Sequence, residues 1–432
     1  MDTFAIQTAV ILFGSLFLYM LVFQWPVFLC MVMACATWGI CFPGKLAGST
    51  IVSSIMGSLN STAYIAIIFY FLLGQLLNNT SLGDRLCKFL DALVGHIHGG
   101  LSHINILYSM VFAGVSGSST ADTASVGAVM IPMMKKEGYP AGYAAAITEM
   151  SSLIGPIIPP SNGFIMIAII FECSVSKLFL GGMIPGLLMG FLQLVISFVW
   201  ARKSGFPCHE WRGVKYAGRT FIEGFGAILL PVLTIVCLMF GIGTVVEIGA
   251  LSVFLAVAIT VVYREFHWRD LAKSLIDSAV AGGKVMAILC CAGIFTWIIA
   301  YAGLTSALSS WIAGLGLGKL GLTALCALIF FVLGFILDTS VLINIIMPLT
   351  VVAVKAAGID LIWYSVVALV AINLGNTTPP VGQLIYLSSS IAECSSWETI
   401  KYSIPYFLSE LLLIVLMLLL PGLCTWLPGI AG

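Results

Sequence analysis

The sequence predicts an all-α polytopic membrane protein, built as an inverted repeat with two re-entrant helical hairpins and two broken transmembrane helices. The 432-residue chain is 60% hydrophobic and 8% charged, with a mean hydropathy of +1.12, which is too apolar for a soluble domain of this size. Its apolar stretches are too long for the ten-residue alternation of a transmembrane β-barrel. Two polar regions rich in glycine and proline interrupt these stretches in matching patterns, as in secondary transporters.

The composition argues against several other classes of protein. The net charge is zero and the basic residues are scattered, so nucleic-acid binding is not predicted. Twelve cysteines are spread singly through apolar segments, apart from Cys290-Cys291, and we interpret them as small packing residues. His96, His98 and His103 have no acidic or cysteine partner at ligand spacing, so no zinc site is predicted. No cofactor is expected.

Ten apolar segments are long enough to cross a bilayer core of about 30 Å. They are 4–23, 26–44, 51–77, 142–171, 178–200, 225–242, 246–263, 279–301, 361–391 and 404–427. The start, Met1-Asp2-Thr3, has no positive charge before the first segment, so we expect a retained helix rather than a cleaved signal. The polar stretches 202–219 and 264–277 are interpreted as cytoplasmic loops or surface-lying helices.

Two further regions, 103–134 and 321–354, are interpreted as re-entrant hairpins. Each is long enough for two half-helices and carries polar residues near its middle. Segments 79–102 and 303–319 precede them and are predicted to be interfacial arms. The segments 142–171 and 361–391 each contain a Pro-Pro pair and are predicted to break there, because proline removes a backbone donor and clashes with the preceding turn.

The distribution of basic residues predicts the orientation. With the amino terminus outside, fourteen of the eighteen lysines and arginines lie on the inner side, and only Lys45, Lys177, Lys319 and Lys355 lie outside. Both termini are then periplasmic in a bacterial inner membrane. The first hairpin enters from the cytoplasm and the second from the far side, so the two halves are predicted to be inverted.

This layout divides the chain into four parts. They are the amino-terminal scaffold helices (1–50), the first repeat with its arm, hairpin and broken helix (51–200), the connecting scaffold helices and cytoplasmic loops (201–278), and the second repeat (279–432).

Spacing within the chain is the basis for the repeat. The matched pairs are Asp122 with Asp338, Pro132 with Pro348, Gly138 with Gly358, Gly155 with Gly375, and Pro159-Pro160 with Pro379-Pro380. The offset is 216 residues for the first two pairs and 220 for the others. The sequence therefore predicts one four-residue insertion between the two sets.

A helix that is cut at membrane depth leaves unpaired carbonyls at one end and unpaired amides at the other, which attract cations and anions respectively. Oxygen atoms around 116–120 and 155–160 predict a small cage that suits a hard cation such as sodium. A second cage around Asp338 and 375–380 adds a carboxylate. Amides near Ser161-Asn162 are expected to face an anionic substrate.

At some positions a purely structural role competes with ion or substrate binding. Small and hydroxyl residues also serve close helix packing in membranes. Two roles are possible for Asp122, either a functional carboxylate or a cap for the second half-helix of its hairpin. Glu149 lies near the cytoplasmic start of its segment, where it is expected to reach water.

Seven short motifs resemble the large membrane subunit of the TRAP (tripartite ATP-independent periplasmic) transporters, the dicarboxylate-type permeases. They are Ser116-Gly-Ser-Ser, Ala121-Asp122, Ile131-Pro132, Gly138-Tyr139, Ile158-Pro-Pro-Ser161, Leu337-Asp338 and Thr378-Pro-Pro-Val-Gly382. The resemblance covers nearly the whole chain and is strongest over 73–185 and 334–405. The chain departs from the family at 64–74, where a Pro-Phe-Phe-like run is common, and at Asn162 and Asn376, which leaves the substrate open.

The resemblance implies an elevator-type member of the ion-transporter superfamily that couples sodium to the uptake of an organic carboxylate. The substrate would be a C4-dicarboxylate, a sugar acid or a sialic-acid-like anion. The implied partners are a small four-helix membrane subunit and a soluble periplasmic binding protein, besides the lipid bilayer.

The resemblance also implies roles for individual residues. One sodium site would use Ser116, Ser118, Gly155, Ile157 and Pro160, and the other Asp338, Gly375, Thr377, Thr378 and Val381. The implied substrate-binding residues are Ser119, Asp122, Ser161, Asn162 and Asn376.

Four alternatives compete with a sodium-coupled transporter that depends on a binding protein. Gly114-Val-Ser116-Gly117 resembles the motif of rhomboid-type intramembrane proteases, but that chemistry needs a histidine base beside the serine. All five histidines are expected in loops or arms, so an enzyme is not predicted. No G-x-x-x-x-G-K-[ST] motif occurs, which argues against an ATP-driven pump. A passive channel and a single-component sodium/anion symporter with the same hairpins remain alternatives.

Overall fold

The computed structural model describes residues 3–23 and 25–430, and the side chains of all of these except 21, 114–116, 312 and 313. The first five helices are α1 (Thr3–Phe23), α2 (Val27–Cys41), α3 (Gly48–Leu59), α4 (Ala63–Asn79) and α5 (Leu82–Val94). The first repeat continues with α6 (Gly100–Ser116), α7 (Ser119–Lys136), α8 (Ala141–Ser152), α9 (Asn162–Phe171) and α10 (Val175–Ser204). The middle helices are α11 (Val214–Met239), α12 (Val245–Val262), α13 (Trp268–Tyr301) and α14 (Leu304–Gly314).

The second repeat ends the described chain. Its helices are α15 (Lys319–Gly334), α16 (Thr339–Val341), α17 (Met347–Ala356), α18 (Leu361–Gly375), α19 (Gln383–Ala392), α20 (Ser396–Leu419) and α21 (Gly422–Ile430). A π-helical stretch, Leu342–Ile346, joins α16 to α17 without interruption. The predicted all-α fold class is confirmed.

In the described part of the chain, seven helices are long and apolar enough to cross a membrane, or eight if the bent pair α3–α4 counts as one span. The angle between α3 and α4 is 57°. Six of the seven are α1, α10, α11, α12, α13 and α20, which were predicted as single crossings. The seventh, Thr339–Ala356, is the second half of the second predicted hairpin.

Two predicted boundaries are wrong. The segment 264–277 is not a separate surface element, because α13 begins at Trp268 and continues for 34 residues, or about 51 Å. Likewise α11 begins at Val214, inside the predicted loop 202–219. A helix needs an apolar surface only where it meets lipid or protein, so polar first turns do not end it. The last predicted segment, 404–427, is two helices, α20 and α21.

The first predicted hairpin is formed by α6 and α7. The chain reverses at Gly117, whose φ of 60° is a left-handed conformation that suits glycine. Ser118 then caps α7 by accepting from the Ala121 N–H at 3.5 Å. Asp122 lies one turn further along, so a capping role for Asp122 is wrong. His103, expected in the preceding arm, lies in the first turn of α6, with Nδ1 3.0 Å from the Gly99 carbonyl oxygen.

Both predicted helix breaks are present. α8 ends at Ser152 and α9 begins at Asn162, while α18 ends at Gly375 and α19 begins at Gln383. The Pro159–Pro160 and Pro379–Pro380 bonds lie in these breaks, and both are cis. Proline cannot donate a backbone hydrogen bond and clashes with the preceding turn, so each segment is split into two half-helices.

The helix bounds correct the register of the repeat. The second helical half of each hairpin runs from 119 to 136 and from 339 to 356, a shift of 220 residues at both ends. Asp338 therefore corresponds to Ser118, since each caps its helix, and not to Asp122. The predicted 216-residue offset and four-residue insertion are wrong. Pro132 lies deep inside α7, whereas Pro348 follows the π-helical stretch, so their equal distances from an aspartate are coincidental.

Two ion pairs connect the ends of the repeats in a reciprocal way. Lys135, at the end of α7, has Nζ 3.3 Å from Glu393 Oε2, just after α19. Lys355, at the end of α17, has Nζ 3.9 Å from Glu172 Oε2, just after α9. These largely exposed pairs contribute little stability. They show that the end of each hairpin lies beside the end of the broken helix of the other repeat. The arrangement in which the two hairpins open at opposite faces, as an axis in the membrane plane requires, stays a prediction.

A histidine connects the arm to the end of the first hairpin. His209, between α10 and α11, has Nδ1 2.6 Å from Asp91 Oδ1 of α5 and Nε2 3.0 Å from Glu137 Oε1, which follows α7. Both ring nitrogens face carboxylates, which favours the doubly protonated ring. Burial lowers the pKa of His209, but the hydrogen bonds and charges of Asp91 and Glu137 outweigh it, and the pKa is raised.

We therefore expect this contact to weaken at alkaline pH. A raised folded-state pKa means that the stabilisation is complete below the unfolded value of about 6.5 and is lost as pH rises through the folded value. Thermal unfolding of the wild type and of His209→Gln should differ most near pH 6, and the difference should shrink toward about pH 9. The exposed His98→Gln is the control. A difference that is independent of pH would contradict the charged bridge.

Candidate functional site

A cavity of about 60 Å³ lies where the tips of the two hairpins approach the helix breaks. Of the predicted site residues, four line it, namely Ser118, Ser119, Asn162 and Asp338. Phe71 of α4 and Val285 of α13, which belong to neither hairpin nor broken helix, also line it. The cavity is therefore bounded on one side by the repeated elements and on the other by the helices around them.

Three helices begin at this cavity, α7, α9 and the helix that starts with α16. Their capping residues are Ser118, Ser161 and Asp338. Ser161 Oγ accepts from the Phe164 N–H at 3.2 Å and donates to the Pro156 carbonyl at 2.5 Å. The amide ends of three helix dipoles converge here, which produces a positive potential without a basic side chain.

Asp338 is the one charged residue among the described residues that line the cavity. Its Oδ1 accepts from the Ser340 N–H at 2.8 Å, and its Oδ2 accepts from Gln383 Nε2 at 3.1 Å. A carboxylate has about four lone-pair positions, so these two bonds leave capacity for a cation. Its half-buried position gives that cation access from the cavity.

Asn373 of α18 is a residue that the sequence analysis missed. Its Oδ1 accepts from Ser119 Oγ of the first hairpin at 3.3 Å and lies 3.3 Å from Thr339 Oγ1 of the second. Its Nδ2 donates to the Leu369 carbonyl at 2.8 Å. One amide in the last turn of the apolar helix α18 therefore contacts both hairpin tips. The available signal was its polarity, two residues before Gly375.

The second break is held closely against the second hairpin. A Cβ at Gly375 would lie 2.5 Å from the Phe331 carbonyl oxygen and 2.7 Å from Gly334 Cα. The Asn376 amide donates to the carbonyls of Leu337 and Gly334 at 3.1 and 3.0 Å, and its oxygen accepts from Thr339 Oγ1 at 2.7 Å.

Asn376 does not line the cavity and is 1% exposed. The structure gives its side chain the role of holding the second hairpin, in place of the predicted contact with substrate.

Other predicted ligands lie away from the cavity. The hydroxyls of Thr377 and Thr378 both donate to the Leu374 carbonyl, at 2.8 and 2.9 Å. They line a separate, mostly apolar cavity of about 130 Å³ that faces α20. Val381 is 43% exposed and lines neither cavity.

The predicted residues of the first break are packed behind the first hairpin. A Cβ at Gly117 would lie 2.8 Å from the Pro160 carbonyl oxygen, so the hairpin tip contacts the break directly. A Cβ at Gly155 would collide with the Asp122 carboxylate, which places Asp122 against the break and away from the cavity lining. Ile157 is fully buried. The side chain of Ser116 lies outside the described part, and both five-residue sodium sites stay predictions.

The expectation that Glu149 reaches water is wrong. Glu149 is 0% exposed, and its Oε1 and Oε2 accept from Ser403 Oγ at 2.5 Å and Ser388 Oγ at 3.1 Å. These serines belong to the second repeat, whose helices α19 and α20 cover α8. Distance along the helix from its start therefore does not indicate exposure here.

Comparison with known proteins agrees with this architecture. Residues 13–423 match the family model described as "Tripartite ATP-independent periplasmic transporter, DctM component". The 2,3-diketo-L-gulonate TRAP transporter large permease protein YiaN of Escherichia coli strain K12 is 31% identical over 401 residues, which cover 92% of this chain and 93% of that protein.

Two other relatives are 28% identical. They are the C4-dicarboxylate TRAP transporter large permease protein DctM of Rhodobacter capsulatus, with 89% and 90% of the two chains covered, and the sialic acid TRAP transporter large permease protein SiaM of Vibrio cholerae, with 87% and 88% covered. The crystal structure of the Alcanivorax borkumensis YdaH transporter has a similar fold, with a TM-score of 0.61, 16% identity and 91% and 96% coverage. The three relatives described above are all named as TRAP transporter large permease proteins.

Proposed function

Because the chain belongs to the DctM-component family of the tripartite ATP-independent periplasmic transporters, and is thus the large permease subunit of a secondary transporter in the inner membrane, we propose that it couples sodium to the uptake of an organic carboxylate. The three relatives compared above are named for 2,3-diketo-L-gulonate, C4-dicarboxylates and sialic acid, all of which carry a carboxylate. The convergence of three helix amide ends on one cavity carries the proposal for this chain.

In this proposal, a bound sodium ion balances the charge of Asp338 in the cavity. A carboxylate substrate would meet the amide ends of α7, α9 and α16, while Asp338 would repel it unless a cation lay between them. We propose that carbonyl oxygens at the ends of α6, α8, α15 and α18, together with nearby hydroxyls, would be the oxygen ligands that a hard cation prefers. Bound sodium therefore raises the affinity for the anion, and the anion raises that for sodium by the same factor.

An elevator movement explains how the substrate enters. At about 60 Å³ the cavity is smaller than the pockets that hold small ligands, which typically measure about 300 Å³ or more. Phe71 and Val285 close it from α4 and α13. We propose that the hairpins and broken helices slide as one body past these two helices, so that the cavity opens to one side of the membrane at a time.

The partners follow from the tripartite family. A small four-helix membrane subunit would extend the static scaffold, and a soluble binding protein would deliver the substrate to the periplasmic face. Both termini of the chain would lie on that same face.

Uptake by reconstituted protein tests the proposal. The purified chain, a candidate small subunit and a candidate binding protein would be placed in and around liposomes with an inward sodium gradient and a radiolabelled C4-dicarboxylate, sugar acid or sialic acid. We expect saturable uptake that requires both sodium and the binding protein. Sodium-driven uptake without the binding protein would identify a single-component symporter, and conductance without a gradient would identify a channel.

Labelling of single cysteines tests the orientation. Lys135 and Lys355 are matched sites, because each lies in the last turn of a hairpin helix and the two are 220 residues apart. After replacement of the exposed Cys41 and Cys208, a membrane-impermeant thiol reagent should label Lys355→Cys from outside and Lys135→Cys only from the cytoplasm. The reverse pattern would overturn the orientation, and labelling of both from one side would overturn the inversion.

A further inference from the structure

Glu410 of α20 and Gln193 of α10 form a side-chain pair in the core where the two repeats meet. Both residues are 0% exposed. Gln193 Nε2 donates to Glu410 Oε1 at 2.8 Å and to the Met150 carbonyl of α8 at 2.9 Å. These two bonds use both protons of the amide. The Met150 carbonyl also fixes which end of the amide carries the nitrogen, because a carbonyl only accepts.

One oxygen remains on each side of this pair. Gln193 Oε1 and Glu410 Oε2 are buried and have no hydrogen-bond partner among the described residues. If Glu410 is a carboxylate, both oxygens are acceptors that lack a donor, and a full charge lies in the core. A single proton on Glu410 Oε2 would remove the charge and, if donated to Gln193 Oε1, would satisfy both atoms together.

No buried cation is available to compensate a charged Glu410. The helices that pack against α20 include α8, α10, α15, α18 and α19. The lysines and arginines on these helices and on α20 itself are all exposed, namely Lys177, Arg202, Lys203, Lys319 and Lys401. The buried carboxyl and phenol groups on the same helices are Glu149, Tyr143, Tyr364 and Tyr406. An unpaired carboxylate in such surroundings is strongly disfavoured.

Glu149 provides an internal contrast. It is as deeply buried as Glu410, but a hydroxyl donates to each of its oxygens, Ser403 to Oε1 and Ser388 to Oε2. Each of its oxygens therefore has a hydroxyl within hydrogen-bond distance without a proton on the carboxyl group. The two buried acids on neighbouring helices therefore have different needs, and only Glu410 lacks a donor that a proton would supply.

We propose that Glu410 is a proton-binding site, in which the proton on Oε2 is donated to Gln193 Oε1 and the neutral acid and amide form a doubly hydrogen-bonded pair. Glu410 does not line the substrate cavity, and its burial separates it from solvent. In this proposal the proton stays bound in the core throughout the transport cycle and is distinct from any coupling ion. The inference is independent of the substrate proposed above.

Infrared difference spectroscopy of the full-length chain in lipid nanodiscs tests for this proton. At pH 7 the wild-type minus Glu410→Gln spectrum should contain the carbonyl band of a protonated carboxylic acid. The band should persist in Glu149→Gln, which is the matched control. In Gln193→Leu it should move to higher frequency, because the acceptor is removed. Loss of carboxylate bands in Glu410→Gln, with no acid band, would overturn the proposal.

Stability and uptake give a second, independent test. A glutamine at 410 keeps the shape of a neutral acid and offers an N–H to Gln193 Oε1, so Glu410→Gln should retain wild-type melting temperature and uptake. Glu410→Leu leaves one N–H and the Oε1 of Gln193 without a partner, while the bond to the Met150 carbonyl remains, and it should lower the melting temperature. Equal losses in Glu410→Gln and Glu410→Leu would show that the charged carboxylate is required, and the proposal would fail.

Discussion

Replacing Asp338 with asparagine should raise the sodium concentration needed for half-maximal uptake by roughly tenfold or more, or abolish sodium dependence. Tenfold corresponds to about 1.4 kcal/mol of binding free energy, and interactions with a charged group are commonly worth about 1.5–3 kcal/mol. Asparagine caps helices as well as aspartate does, and its Oδ1 can still accept from the Ser340 N–H. The substitution therefore removes the charge and keeps the helix cap, while the Gln383 amide loses its acceptor at Oδ2.

Asp360→Asn is the matched control for this experiment. Asp360 caps α18 by accepting from the N–H groups of Ile362 and Trp363, both at 2.9 Å, and it does not line the cavity. Initial uptake rates would be measured over a range of sodium concentrations in the reconstituted system. Asp360→Asn should leave the sodium dependence unchanged. If Asp338→Asn leaves it unchanged as well, Asp338 is not a sodium ligand.

Adding one methyl group at Gly375 should displace the second hairpin and abolish uptake. In Gly375→Ala the Cβ would lie 2.5 Å from the Phe331 carbonyl oxygen and 2.7 Å from Gly334 Cα. Both are backbone atoms, so no side-chain rotation relieves the clash. Overpacking typically destabilises by about 1–3 kcal/mol, and we expect a value at the upper end of this range.

The control is Gly283→Ala on α13. A Cβ there has no neighbour within 4 Å, and alanine in an exposed helix is more stable than glycine by up to about 1 kcal/mol. Melting temperature and sodium-driven uptake would be measured for both variants. If Gly375→Ala retains both properties as well as Gly283→Ala does, the close contact between α15 and α18 is not required.

The broken helices and hairpins were predictable because their causes are local. Pro159-Pro160 and Pro379-Pro380 interrupt helices through their own covalent structure, wherever they occur in the chain. Ser118 was recognised from the hydroxyl-rich stretch 116–120 and the family resemblance, and Asp338 as a carboxylate at membrane depth. They were predicted to lie in two separate cages, whereas both line one cavity. Their role as sodium ligands remains a prediction.

The register of the repeat and several side-chain roles were not predictable, because they depend on tertiary packing. Asp122 and Pro132 are ten residues apart, as are Asp338 and Pro348, and this equal spacing suggested the wrong alignment. The position of each residue along its helix, which gives the correct alignment, is visible only in the structure. Glu149 is buried only because helices from the other repeat cover α8. Asn373 and Asn376 lie within one turn of each other and both contact Thr339, but only Asn373 contacts Ser119 of the first hairpin, and only Asn376 donates to the Leu337 and Gly334 carbonyls. The sequence around these two asparagines does not indicate which contacts each side chain makes.

The reciprocal contacts of Lys135 with Glu393 and of Lys355 with Glu172 have a mechanical consequence. In each pair, the end of a hairpin helix from one repeat contacts the end of a broken helix from the other, so the two repeats are packed into each other. In the elevator movement proposed above, one half could not move without the other unless the contacts of Asn373 with both hairpin tips were broken. We therefore expect the two halves, and any ligand between them, to move together as one rigid body.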